Sequence, residues 1–143
     1  MSSGLKLKYY TSEFLRIKRG YRNGQIVNAK PYLLLAIFDL IESFYIVDNH
    51  IFFDEMLKSH YEYYYGIYES IPITPLYKPF YYMVSDGFWH IEWKNDSNIK
   101  ISSKYLRENV KYARFDNALW DLLQEHESRN TLREVIIKSF LSK

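Results

Sequence analysis

Residues 31–42 read PYLLLAIFDLIE, a stretch apolar around nearly the whole circumference of a helix. Leu33, Leu34, Ile37, Phe38 and Ile41 fall at helical spacing, and Leu35 and Leu40 widen the stripe. A helix that is apolar all round is buried all round, so the other elements must be arranged about it. Pro31 suits its first turn, where the missing N–H would have been an orphan in any case.

The remaining segments supply the elements to surround it. TSEFLRIKR from Thr11 predicts a helix with a Thr/Ser cap and basic residues in its last turn, ended by Gly20. Asn23-Gly24 is a turn signal. Asp54 is placed to cap a helix running through Tyr68, whereas Pro72, Pro75 and Pro79 predict an irregular, extended segment. YKPFYYMVSDGFWHIEWK reads as a hairpin around Ser85-Asp86-Gly87, followed by a loop over 95–98 and a short helix over SSKYLRENV. Asp116 opens a helix through Gln124 with Leu119, Trp120, Leu122 and Leu123 inward, and Ser128 opens a last one with Leu132, Val135, Ile136 and Phe140 on one face. The expected fold is mainly α, a compact helical domain with one small antiparallel β-hairpin. It takes residues 1–143 as a single domain that includes the basic segment 1–30.

Charge divides this chain unevenly. Of 19 basic and 17 acidic residues, seven basic and one acidic fall in residues 1–30, leaving 12 and 16 for the rest. Such asymmetry is a footprint of polyanion binding. With no cysteine there is no disulfide, thiolate zinc site or cysteine nucleophile. No apolar run approaches the roughly 18 residues of a membrane span, and no secretory signal pattern opens the chain. A cytoplasmic protein with no membrane partner is the expectation.

Catalytic patterns are sparse. His50, His60, His90 and His126 are scattered without metal-ligand spacing, and the glycine-rich phosphate loop and G-x-S-x-G are both absent. Asp86 with Glu92-Trp93-Lys94 has the D…E-x-K form of metal-dependent nucleases, in which the carboxylates would hold magnesium and Lys94 would position water. The same residues also describe a half-exposed strand with Ile91 and Trp93 inward and charges outward. No cofactor, metal site or catalytic residue is therefore assigned. Arg16, Lys18, Arg19, Arg22 and Lys30 are the candidate phosphate contacts, since a lysine beside a helix N-terminus is a ready anion site. Trp89 and His90 are candidates for a groove-inserted loop.

Four stretches then stand in a telling order: NAKPYLLLAIFDLIE from Asn28, NHIFF from Asn49, PFYYMVSDGFWHIEW from Pro79 and LRENVKYARFDNALWDLL from Leu106. With LREVIIKSFL at the end, they resemble the sulfur-binding domain of phosphorothioate-dependent type IV restriction endonucleases, from about Phe14 to Leu141. In that family the domain usually precedes a C-terminal HNH nuclease. The resemblance implies a mainly helical, non-catalytic reader of double-stranded DNA in which sulfur replaces a non-bridging phosphate oxygen, serving bacterial restriction. Cleavage would come from a nuclease domain or subunit outside this chain. It further implies a sulfur pocket around Pro31 of the K-P motif, completed by Tyr32 or Leu34, with Lys30 beside the modified phosphate. Asn28, His50, Trp89 and His90 would meet bases or groove. Ala29 stands where many members have histidine, and His50 where many have arginine. The rival expectations are a magnesium nuclease using Asp86, Glu92 and Lys94, and a general DNA-binding or protein-interaction module blind to sulfur.

Overall fold

The structure is a computed structural model that describes residues 2–70, 72–95 and 100–141. Its fold is mainly α, as expected, but the described residues carry two small antiparallel sheets rather than one hairpin. Helix α1 (Ser3–Leu15) leads to strands β1 (Gly20–Arg22) and β2 (Gln25–Val27), and then to α2 (Ala29–Glu42) and α3 (Glu55–Tyr68). Next come α4 (Tyr77–Tyr82), a 3-10 turn over Met83–Asp86 and strand β3 (Trp89–Trp93). After α5 (Ser103–Asn109), β4 (Val110–Phe115) and α6 (Asn117–Gln124), α7 (His126–Ile136) runs on into a π-helical turn over Ile137–Leu141.

Helix α2 is the centre. Every residue from Tyr32 to Phe38 is fully buried, and α3, α4, α6 and α7 all pack on it. Each large aliphatic or aromatic side chain buried there contributes about 1.5–3 kcal/mol. The polar end of α2 is tied down as well. Arg133 bonds Asp39 at 2.9 Å, and the buried Arg129 reaches Glu42 at 3.4 Å and the Leu123 carbonyl at 2.7 Å. Asp54 caps α3 as expected, accepting from the Leu57 N–H at 2.9 Å.

Several boundaries differ from expectation. Helix α1 begins at Ser3, capped by Ser2 at 3.2 Å, because Leu7, Tyr10 and Phe14 continue its inward seam well before Thr11. It also ends sooner: Arg16 and Ile17 bond the carbonyls of Glu13 and Phe14, three residues back, and the tightened turn closes the helix. Arg16, Lys18 and Arg19 therefore follow the helix instead of riding on it. The Asn23-Gly24 turn does more than reverse the chain. Both residues take positive φ, 52° and 80°, and join β1 and β2 with Tyr21 opposite Ile26.

The hairpin expected around Ser85-Asp86-Gly87 is absent. Its first arm is α4 and the 3-10 turn, where Phe80 and Met83 are buried at helical spacing. Only the second arm is a strand, β3, and its partner is β4, with Trp89 opposite Phe115 and Ile91 opposite Ala113. A bridge from Ile51 to Ala113 flanks this pair. The expected short helix is α5, but β4 follows it directly. Asp116 precedes α6 without capping it by its side chain. Its carboxylate instead accepts from Tyr10 at 2.8 Å and sits 2.6 Å from His90 Nε2. Leu119, Leu122 and Leu123 are buried as expected, while Trp120 is half-buried. The loop expected over 95–98 lies outside the described residues beyond Asn95. Among the described residues no helix is long and apolar enough to cross a membrane.

Candidate nucleic-acid interface

The segment from Lys18 through β1, the end of β2, the first turn of α2 and helix α4 enclose an open cleft of about 510 Å³. Four of the five cations expected to meet phosphate line it: Lys18, Arg19, Arg22 and Lys30. Lys78 of α4 adds a fifth, and among the described residues no acidic one lines the cleft. Arg16 lies outside it, ion-paired with Glu13 at the end of α1. Apolar surface fills the rest. Ala29 and Pro79 are buried and form the base, whereas Val27, Pro75 and Tyr82 are more exposed.

Four of the five cations are held where they stand. Arg19 donates to the Asn28 side chain at 2.9 Å and places its guanidinium 4.4 Å above the Phe140 ring. Arg22 donates to the Pro72 carbonyl at 3.1 Å, and the Lys18 ammonium to the Ser85 carbonyl at 3.3 Å. None of these contacts cancels charge. Lys30 differs, because its Nζ is 2.7 Å from the carboxylate of Asp86. Asn28 is the residue before α2 yet does not cap it. Its oxygen is taken by Arg19, and its amide donates to the Phe140 carbonyl at 3.4 Å. The first turn of α2, which ends at the cleft, thus keeps its positive dipole end without a side-chain cap.

The sulfur pocket expected from Pro31, Tyr32 and Leu34 is not at the surface. All three are buried, and Tyr32 and Leu34 are fully so. Tyr32 packs on Tyr65 and Tyr68, at ring-centre distances of 5.0 and 5.8 Å. The reason lies in α2 itself: a helix surrounded on all sides turns even its first-turn proline into core. Pro79, in the other Lys-Pro pair of the chain, lines the cleft, with Pro75 beside it. Lys78-Pro79 was legible as a dipeptide, but reading the segment as a hairpin arm hid its place beside Lys30.

The expected base and groove contacts also scatter. Trp89 is fully buried and donates its indole N–H to the Phe80 carbonyl at 2.7 Å, so it is a core residue and not an inserted loop. His90 is half-exposed and engaged with Asp116. His50 is exposed, with its ring 3.9 Å from that of Tyr112, and lines a different cavity beside Tyr45 and Phe52. Asn28 supports Arg19.

The D…E-x-K residues are not brought together as a metal site. Asp86 is bound to Lys30 and to the backbone N–H of Lys18 at 2.8 Å. Glu92 lies on β3, where it pairs with Arg114 at 3.3 Å. The Lys94 backbone N–H bonds the Asn109 carbonyl at 2.7 Å. Among the described residues no cluster of three or more His, Cys, Asp or Glu side chains could hold a metal ion. The chain matches no family model, and no curated protein is significantly similar to it.

Proposed function

We propose that this protein binds the DNA backbone in the cleft at the head of α2 and reads phosphorothioate linkages there. The carrying observation is a cleft lined by five cations, without an acid among the described residues, over a base of Ala29 and Pro79. Four of the cations lack a carboxylate partner among the hydrogen bonds and ion pairs described above. They neutralise the phosphate charge common to all DNA, and that part of the affinity falls with salt through counterion release.

Selectivity comes from the apolar surface. Sulfur is larger, more polarizable and more weakly hydrated than oxygen. Burying about 40 Å² of it gains about 1 kcal/mol, or roughly fivefold. An oxygen pressed on the same surface loses water without finding a donor, which costs about 1–3 kcal/mol more. Pro79 at the base, with the more exposed Pro75 and Tyr82 beside it, supplies this surface, whereas Pro31 does not line the cleft.

Duplex binding measured at several salt concentrations tests the electrostatic half. The expected result is a log–log slope of about −0.9 per phosphate contacted. Salt-independent binding, or none, would reject a backbone-binding cleft. Incubation with magnesium or manganese tests the rival nuclease reading: DNA is expected to stay intact, whereas cutting lost in Glu92→Ala would overturn the reader.

A further inference from the structure

Among the described residues, Lys30 is the one of the five cleft cations answered by a carboxylate. Its side chain is 11% exposed and that of Asp86 is 2% exposed, with 2.7 Å between ammonium and carboxylate. Asp86 ends the 3-10 turn after α4, and Gly87 follows in the left-handed region at φ 94°. This sharp exit lets the carboxylate face back toward the β1–β2 arm and α2. Its second oxygen accepts from the Lys18 N–H at 2.8 Å, so both oxygens are occupied by donors from the basic segment. A carboxylate this buried carries a heavy desolvation cost and persists only when paired so completely. Placing one directly behind a phosphate-binding cleft weakens the binding of every phosphate.

We infer that Asp86 determines the selectivity of the cleft by neutralising Lys30. The inference rests on the reading of the cleft as a phosphorothioate reader. A free ammonium at the base would give a phosphate oxygen the charged donor that the apolar surface denies it. Hydrogen bonds to charged groups favour the hard, strongly hydrated oxygen over sulfur, so a free Lys30 would erase the distinction made by Ala29 and Pro79. With Asp86 in place, Lys30 offers the base its aliphatic stem and almost no net charge. Lys18, Arg19, Arg22 and Lys78 are left to hold the flanking phosphates.

Asp86→Asn keeps the shape and an acceptor for Lys18 while releasing the charge of Lys30. Titrated with two duplexes identical except for one sulfur, this variant is expected to bind the unmodified duplex about tenfold more tightly. The modified duplex should gain less, so the ratio of the two affinities falls. The salt slope on unmodified DNA steepens by about 0.9, one additional phosphate contact. Unchanged ratio and slope in a cooperatively melting Asp86→Asn protein would overturn the inference.

Asp86→Asn/Lys30→Met, which has no charge left to bury, keeps the test open if the single variant fails to fold. Its ratio should match that of the wild type, because the cation it removes was already neutralised; a lower ratio would overturn the role of Asp86. Equal binding of both duplexes by the unsubstituted protein would overturn the reader itself, a failure visible before any substitution is made.

Discussion

Arg19 donates to the side chain of Asn28 at 2.9 Å, and through it the basic segment is locked to the start of the central helix. The same asparagine is thereby kept from capping α2. One contact both aims a cation into the cleft and leaves the positive end of a 14-residue helix dipole beside it. Asn28 acts as a support for charge, which differs from the base contact expected of it.

Arg19→Ala should therefore weaken modified and unmodified duplexes to the same extent. The salt slope should become shallower by about 0.9, the loss of one phosphate contact. Isothermal titration at two salt concentrations checks this. A loss confined to the sulfur-containing duplex would mean that Arg19 touches the modification itself.

Pro79→Ala should act in the opposite manner, narrowing the preference for the modified duplex by about twofold to fivefold while sparing affinity for plain DNA. Pro79 lies in the first turn of α4, where alanine is also accepted. An unchanged preference would place the sulfur-reading surface elsewhere in the cleft.

Trp89→Phe should lower stability without touching selectivity. The buried indole donates to the Phe80 carbonyl at 2.7 Å, and leaving that carbonyl unpaired costs about 1–3 kcal/mol. Thermal melting measures the loss. A folded Trp89→Phe protein with impaired DNA binding would return Trp89 to the interface.

Alkaline pH should unfold the protein partly through Tyr64. Its hydroxyl bonds Asp39 and accepts from Arg133 at 3.3 Å. Burial and the Asp39 carboxylate push the phenol from its ordinary 10.0 up to about 12. The fold holds the neutral phenol, so this stabilisation is complete below pH 10 and is lost as pH rises from 10 through 12. Tyr64→Phe should flatten the fall in denaturation midpoint across that window; parallel curves for the two proteins would contradict the assignment.

The parts of the fold legible in the sequence were those set by local chemistry. Residues 31–42 could be little other than a central helix, and Asp54 announced α3 by its capping position. Strand β4 was hidden because a shift in register between Glu92 and Trp93 breaks the two-residue alternation that would have revealed the pairing. The cleft was half legible for a similar reason. Charge clustering in the chain identified Lys18, Arg19, Arg22 and Lys30, which remain neighbours after folding. Lys78 joins them only because α4 packs against α2, a contact between distant segments. Lys30-Pro31 and Lys78-Pro79 are alike as dipeptides. Both prolines are buried, and which of them lines the cleft depends on which helix is central, a property of the packed molecule.

The most direct test of the account is the affinity of the unsubstituted protein for two duplexes that differ by one sulfur atom, measured at physiological salt. Tighter binding of the sulfur-containing duplex by at least fivefold is the predicted result, the apolar contribution alone setting that lower bound at roughly 1 kcal/mol. Equal affinities would contradict it and leave a cleft that grips DNA without reading the modification.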